Sequence, residues 1–255
     1  MQLIDTHTHL YLPEFNDDRE EVVERAVGEG VVKLLMPNID TDSVEPMLNA
    51  AAKYKGICYP MIGLHPASVK QEFERQLENI ENIAASYSFV AIGEIGIDLY
   101  WDKTYLAEQS EALYRQVALA IKSDLPVVIH SRESFHELFM VLEKFEGEKI
   151  SGVMHAFSGT PEDAEKAVDM GFMLGIGGQL TFKNSSLPQV IKEIGLEHIV
   201  LETDSPYLAP VPFRGKRNES SYIMLVNRKL AELLERDEED VARITFENSC
   251  RLFRL

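Results

Sequence analysis

Eight short apolar runs, each followed by a longer amphipathic stretch, restrict the fold of this 255-residue chain more than any other feature of it. The runs are LIDTHTHL (3–10), VVKLLMP (31–37), ICYPMIGLHP (57–66), FVAIGEIGID (89–98), PVVIHSR (126–132), ISGVMHAFSG (150–159), FMLGIGG (172–178) and IVLETDSP (199–206). They are rich in Val, Ile and Leu and bounded by turn residues, as buried strands are. The stretches between them carry helix signals. DDREEVVERAVGEG (17–30) begins with acids and ends at glycine. TDSVEPMLNAAAKYKG (41–56) offers Thr41 as a cap and Gly56 as a stop. TPEDAEKA places Thr160 at the cap, Pro161 at the first helical position and Asp163 in the first turn. The last stretch, 221–253, reads as two helices. No Pro/Gly/Ser-rich linker interrupts the pattern, so residues 1–255 are expected to form one domain. Eight strand–helix units in about 250 residues match a single (β/α)8 TIM-like barrel of the α/β class. An open doubly wound sheet is the alternative, but no glycine-rich nucleotide fingerprint follows the first run. GIGG at 175–178 lacks that spacing and reads as a tight turn.

Barrel enzymes place their chemistry at the C-terminal ends of the strands. Ionisable residues stand there in this sequence: His7 and His9 on strand one, His65 on strand three, Glu94 and Asp98 on strand four, His130 and Arg132 on strand five, His155 on strand six, Glu202 and Asp204 on strand eight. Five of the seven histidines fall at these ends, while His136 and His198 read as structural or surface residues. In a strand His7 and His9 would face one side. So many imidazoles and carboxylates converging would be poorly compensated without a cation among them. The expected arrangement gives one ion His7, His9, Glu94 and Asp204, and a second ion Glu94, His130 and His155, with Glu94 bridging. Room is left for water on each ion. Two ions about 3.5–4 Å apart lower the pKa of a shared water and hold both ends of a displacement. Asp204 is the expected general base, with Glu202 deeper in the barrel as the other possibility. Imidazoles suit zinc, and mixed carboxylate and water ligands also accept magnesium or manganese.

The net charge of −17 argues against coating an anionic polymer, so nucleic acid is expected only at a local site. Arg214, Lys216 and Arg217 form a basic cluster after strand eight, where barrels bind phosphate. It reads as a phosphate clamp or, for at least one member, as a solvated loop. Arg132 faces the His130 side of its strand, with reach to a scissile phosphate or to Glu133. Tyr100, Trp101 and Tyr105 offer a stacking surface for a splayed base or a packed aromatic cluster. Cys58 and Cys250 do not make a disulfide framework, and no run approaches a membrane span or a signal peptide. A cytoplasmic monomer with no membrane partner is expected.

The stretches IDTHTHL (4–10), GLHP (63–66), GEIGID (93–98), VIHSR (128–132), HAFSG (155–159), ETDSP (202–206) and PFRGKRNE (212–219) together resemble the TatD-type deoxyribonucleases of the amidohydrolase-like superfamily. The resemblance spans nearly the whole chain. It implies a TIM-like barrel, a mono- or dinuclear divalent metal centre, and hydrolysis of phosphodiester bonds in DNA, often from an end. It assigns metal ligation to His7, His9, Glu94, His130, His155 and Asp204. Substrate or phosphate contacts are expected at His65, Arg132, Arg214 and Lys216. Ser220 stands where the family often has proline, which bears on the shape of that loop. Two other functions remain open at this point: a related hydrolase of a small phosphoester, lactone or amide, and a non-catalytic metal-holding protein.

Overall fold

The computed structural model describes residues 1–100 and 102–255. Among these, eight strands form: β1 (Leu3–Asp5), β2 (Val31–Pro37), β3 (Cys58–Met61), β4 (Ile92–Asp98), β5 (Val127–Arg132), β6 (Gly152–Met154), β7 (Phe172–Ile176) and β8 (Ile199–Leu201). The α-helices are α1 (Arg19–Gly28), α2 (Val44–Lys53), α3 (Phe73–Ala84), α4 (Leu106–Ser123), α5 (Phe135–Leu142), α6 (Pro161–Asp169), α7 (Leu187–Ile194), α8 (Ile223–Leu234) and α9 (Glu238–Phe253). All strand pairs are parallel, in the orders β1-β2-β3 and β4-β5-β6-β7-β8. Single parallel bridges join the two sets, Ile62 with Ile92 on one side and Thr8 with Ser205 on the other.

The interior shows the closure directly. Ile4, Leu35, Met61, Ala91, Val128, Val153, Met173 and Val200 pack into one cluster, one side chain from each strand or the residue leading into it. That is a layer of barrel core built on the period of two. Phe253, the last residue of α9, closes this layer from below and is buried with it. A second, larger cluster fills the space between strands and helices.

Local chemistry explains several boundaries. Thr160 and Asp163 form a reciprocal capping box with Pro161 at the first position of α6. At α2 the expected cap moves: Thr41 is not used, and the helix starts after Ser43, whose hydroxyl accepts the amides of Ile39 and Asp40. The β1 ladder stops at Asp5, earlier than the run 3–10 suggests, because the Asp5 carboxylate accepts from His7 N at 3.3 Å. GIGG turns from β7 into a short 3-10 helix over 178–181.

Among the described residues Phe253 is the one fully buried side chain that α9 adds to the inner layer, so Phe253→Ala should leave a cavity. A loss of about 3–5 kcal/mol is expected, read as a lower urea midpoint at unchanged slope. An unchanged midpoint would show that the layer is closed without it.

Candidate metal centre

Glu94 lies where the register between β4 and β5 slips. Gly93 and Ile95 pair with the consecutive residues Val128 and Ile129, and Glu94 is left over. A bulge of this kind re-aims a side chain. The glycines beside it are required by space. Gly96 sits at φ +150°, and a Cβ there would run into the carbonyl oxygen of His130.

The Glu94 carboxylate is buried, and five imidazoles surround it. Its Oε2 lies 3.2 Å from His7 Nε2 and 3.8 Å from His9 Nε2. Its Oε1 lies 2.8 Å from His130 Nδ1, 3.4 Å from His65 Nε2 and 3.7 Å from His155 Nε2. Asp204 Oδ1 faces the same space, 3.6 Å from His9, 3.7 Å from His155 and 3.9 Å from His7. Asp204 is held there at φ +58°, a conformation most residues avoid, with its amide donating to His7 O.

The donor set fits a divalent cation. His7 Nε2 and His9 Nε2 are 3.3 Å apart, and each is within 4 Å of Glu94 Oε2. Donors on a tetrahedral ion with bonds near 2.0–2.1 Å stand about 3.3–3.4 Å from one another. Three groups have ligand atoms close enough for one ion: His7, His9 and Glu94; His7, His155 and Asp204; and His65, Glu94 and His130. The division differs from the expected one in two respects. His155 groups with His7 and Asp204, its ring stacked on His7 with centroids 3.4 Å apart, and not with His130. His65, expected as a substrate contact, stands beside Glu94 and His130. Its Nδ1 accepts from Ala67 N at 3.0 Å, so a neutral ring carries its proton on Nε2. His65 thus presents an N–H to Glu94 and the cavity, as a donor and not a ligand.

Carboxylates hold the far sides of two rings. Asp98 Oδ2 lies 3.1 Å from His130 Nε2, which leaves Nδ1 to face Glu94. Glu202 Oε1 lies 3.1 Å from His155 Nδ1, though the contact is not aligned as a hydrogen bond, and accepts from Ala156 N at 2.6 Å. Glu202 is 1% exposed, below Asp204. Such outer partners orient ligating imidazoles. The sequence also concealed two buried glutamines on α4. Gln109 bonds the backbone of Asp98, and Gln116 bonds both N and O of Leu64, which fixes the segment before His65. Polar residues seven apart on the apolar side of a helix were the available signal.

Charge follows this geometry. Burial works to raise Glu94, but His65, His7, His155 and His130 outweigh it and hold the carboxyl well below its ordinary range. Burial likewise opposes ionisation of Asp204, and His9, His155 and His7 overcome it. Burial and His155 push His7 down, and burial pushes His65 down. Without a cation, His130 rises to about 9 and His155 to about 10, because their carboxylate neighbours outweigh burial.

A cavity of about 670 Å³ opens above this cluster, with Arg132, Gln179 and Tyr207 among its walls. The Arg132 guanidinium lies 3.9 Å over the Tyr100 ring. Arg214 and Lys216 do not line this cavity and lie over the Phe182 and Phe213 rings. Arg217 is neither a clamp nor a solvated cation. It makes a two-pronged ion pair with Asp18 at 2.7 and 2.6 Å and covers the Phe15 ring. Arg25 and Glu219 pair beside it, so the loop is pinned to α1. Ser220 is buried, with its hydroxyl 3.5 Å from Thr8 Oγ1, so the loop is anchored without the proline. Trp101 lies outside the described residues. Tyr105 lies beneath Lys70.

Residues 4–254 match the family of TatD-related DNases. The chain belongs to this family. It is 40% identical over 254 residues to the metal-dependent hydrolase YabD of Bacillus subtilis, covering 99% of each chain. It is 32% identical over 265 residues to a metal-dependent hydrolase of Buchnera aphidicola, covering all of both chains. Among solved structures it superposes on the Escherichia coli TatD homologue YjjV with a TM-score of 0.92 at 32% identity, covering 99% of this chain and 98% of the other. Like other TatD-family chains it is a metal-dependent hydrolase, and the His/Glu/Asp cluster is where its residues can hold the divalent metal.

Metal uptake must displace protons from His130 and His155, whose metal-free values lie above the ordinary 6.5. Affinity should therefore rise with pH, by up to about tenfold per unit for each proton displaced, and level off as the two groups lose their protons unaided near 9 and 10. Calorimetric titration between about pH 6 and pH 8 checks this through both affinity and proton release. A flat profile would contradict it.

Proposed function

We propose that this protein hydrolyses phosphodiester bonds in DNA, working at chain ends or single-stranded regions. One observation carries the reading: the cavity has a cation-binding cluster as its floor and the Arg132 guanidinium in its wall. In a chain of net charge −17, that concentrates positive charge where an anionic phosphate would sit. The match to TatD-related DNases supports the same class of bond.

When bound, divalent ions supply an acidified water and neutralise charge on a phosphate. The chain's own residues do the rest. Glu94, Asp204 and the histidines would hold the ions against which the phosphate rests. Arg132 holds a non-bridging oxygen, and the His65 N–H offers a second donor on the same side. Asp204, the more accessible of the two acids following β8, takes the proton of the attacking water. Glu202, buried with Oε1 accepting from the Ala156 amide, lies against the His155 ring and positions it. Arg214 and Lys216 hold flanking phosphates at the outer rim.

The test is cleavage of end-labelled single- and double-stranded DNA by metal-stripped protein resupplied with one divalent metal at a time. Asp204→Asn should lower turnover by about 10²–10⁴ with folding intact. An Asn variant at wild-type turnover would place the base elsewhere. Neutralising Arg214 and Lys216 together should weaken DNA binding and flatten its salt dependence, by roughly 0.7 to 1 in slope for each lost phosphate contact. An unchanged slope would remove both from the interface. Arg217 is excluded from that variant, because its loss would unpin the loop from α1.

A further inference from the structure

Tyr207 stands apart from the chemistry around it. It lines the cavity, yet it is 48% exposed. Its ring meets the His9 ring edge-on, with centroids 6.1 Å apart. The backbone that carries the ring is held on both sides. Tyr207 N donates to Asp204 O at 2.8 Å, and Tyr207 O accepts from Asn218 Nδ2 at 2.7 Å. The same Asn218 amide donates to Thr203 O, so one buried side chain fixes the turn that carries both Asp204 and Tyr207.

The cavity walls include the apolar side chains of Ile39, Ala67 and Leu208. A phosphate alone has no use for apolar walls or for a flat, half-exposed ring. A phosphate with a base attached uses all of these. The anionic part goes to the cluster and Arg132, and the planar part goes to the ring.

We propose that Tyr207 is a stacking platform for an unpaired nucleobase next to the phosphate held over the metal centre. The proposal deepens the phosphodiester reading above and rests on it. A paired base inside a duplex has both faces covered by its neighbours, whereas a base at a frayed end or in a single strand has a free face. The platform therefore selects unpaired nucleotides, and it tolerates any base because every base has such a face.

The test compares two ligands on the zinc-loaded protein by calorimetry: thymidine 5′-monophosphate and 1,2-dideoxyribose 5-phosphate, in which a hydrogen replaces the base. Wild type should bind the nucleotide tighter than the baseless sugar phosphate. Tyr207→Ala should lose nucleotide affinity by about 5- to 150-fold, the range for truncating a stacked ring, and leave the sugar phosphate unchanged. Tyr207→Leu keeps apolar bulk without the ring and should lose most of the preference, while Tyr207→Phe should keep it. Equal affinity for the two ligands in wild type overturns the proposal. So does a preference that survives both Tyr207→Ala and Tyr207→Leu, or the absence of saturable nucleotide binding. The phosphodiester reading fails separately. Wild type that leaves labelled oligonucleotides intact with every metal, yet keeps the nucleotide preference, supports the platform and rejects the cleavage.

Discussion

One buried carboxylate organises this molecule. Glu94 sits inside a ring of five imidazoles, with its two oxygens turned toward different sets of them. Burial opposes the negative charge, which persists because those rings surround it. The rings in turn leave lone pairs facing one another, with His7 and His9 nitrogens at 3.3 Å. Carboxylate and imidazoles together ask for a cation, and the polar architecture at the top of the barrel follows from holding them at that spacing.

The parallel ladder alone does not hold them. At the seam between β8 and β1 it thins to one bridge with the backbone bonds Thr6 N to Leu201 O, Asp204 N to His7 O and His9 N to Ser205 O, and side chains reinforce them. Asp5 accepts from the backbone and hydroxyl of Thr203 at 2.9 and 2.6 Å, joining the segment that carries His7 to the one that carries Asp204. Asn38 bonds both N and O of Gly63, and Gln116 does the same for Leu64. These side chains satisfy buried backbone groups that the strands leave unpaired as they diverge toward the site. They also fix the loops at the point where a small displacement would spoil metal geometry.

Much of this was legible in the sequence, for a definite reason. A barrel brings all strand ends to one rim, so polar residues closing apolar runs meet whatever their separation along the chain. That places His7, His9, Glu94, His130, His155 and Asp204 in one cluster without any knowledge of distances. What was not legible depends on register and on long-range pairing. The slip at Glu94 is invisible in GEIGID. The grouping of His155 with His7 arises from ring stacking across the barrel, and the pairing of Arg217 with Asp18 spans 199 residues. The Nδ1 bond that turns His65 from a possible ligand into a donor comes from a local turn over 65–67. The capping box of α6 could be read directly because its signal is contained in four residues. The start of α2 shifted from Thr41 to Ser43 because Asp40 and Ser43 lock a turn together, the Asp40 carboxylate accepting from Ser43 N and the Ser43 hydroxyl accepting from the amides of Ile39 and Asp40.

The central claim is that Glu94 holds the metal centre together, and metal content measures it most directly. After dialysis against zinc or manganese and removal of excess ion, wild type should retain roughly one to two divalent ions per chain. Glu94→Gln keeps the shape of the side chain and loses its charge. It should retain far less metal while keeping its circular dichroism spectrum. Wild-type metal content in that variant would contradict the account, because the imidazoles and Asp204 would then suffice without the carboxylate at their centre.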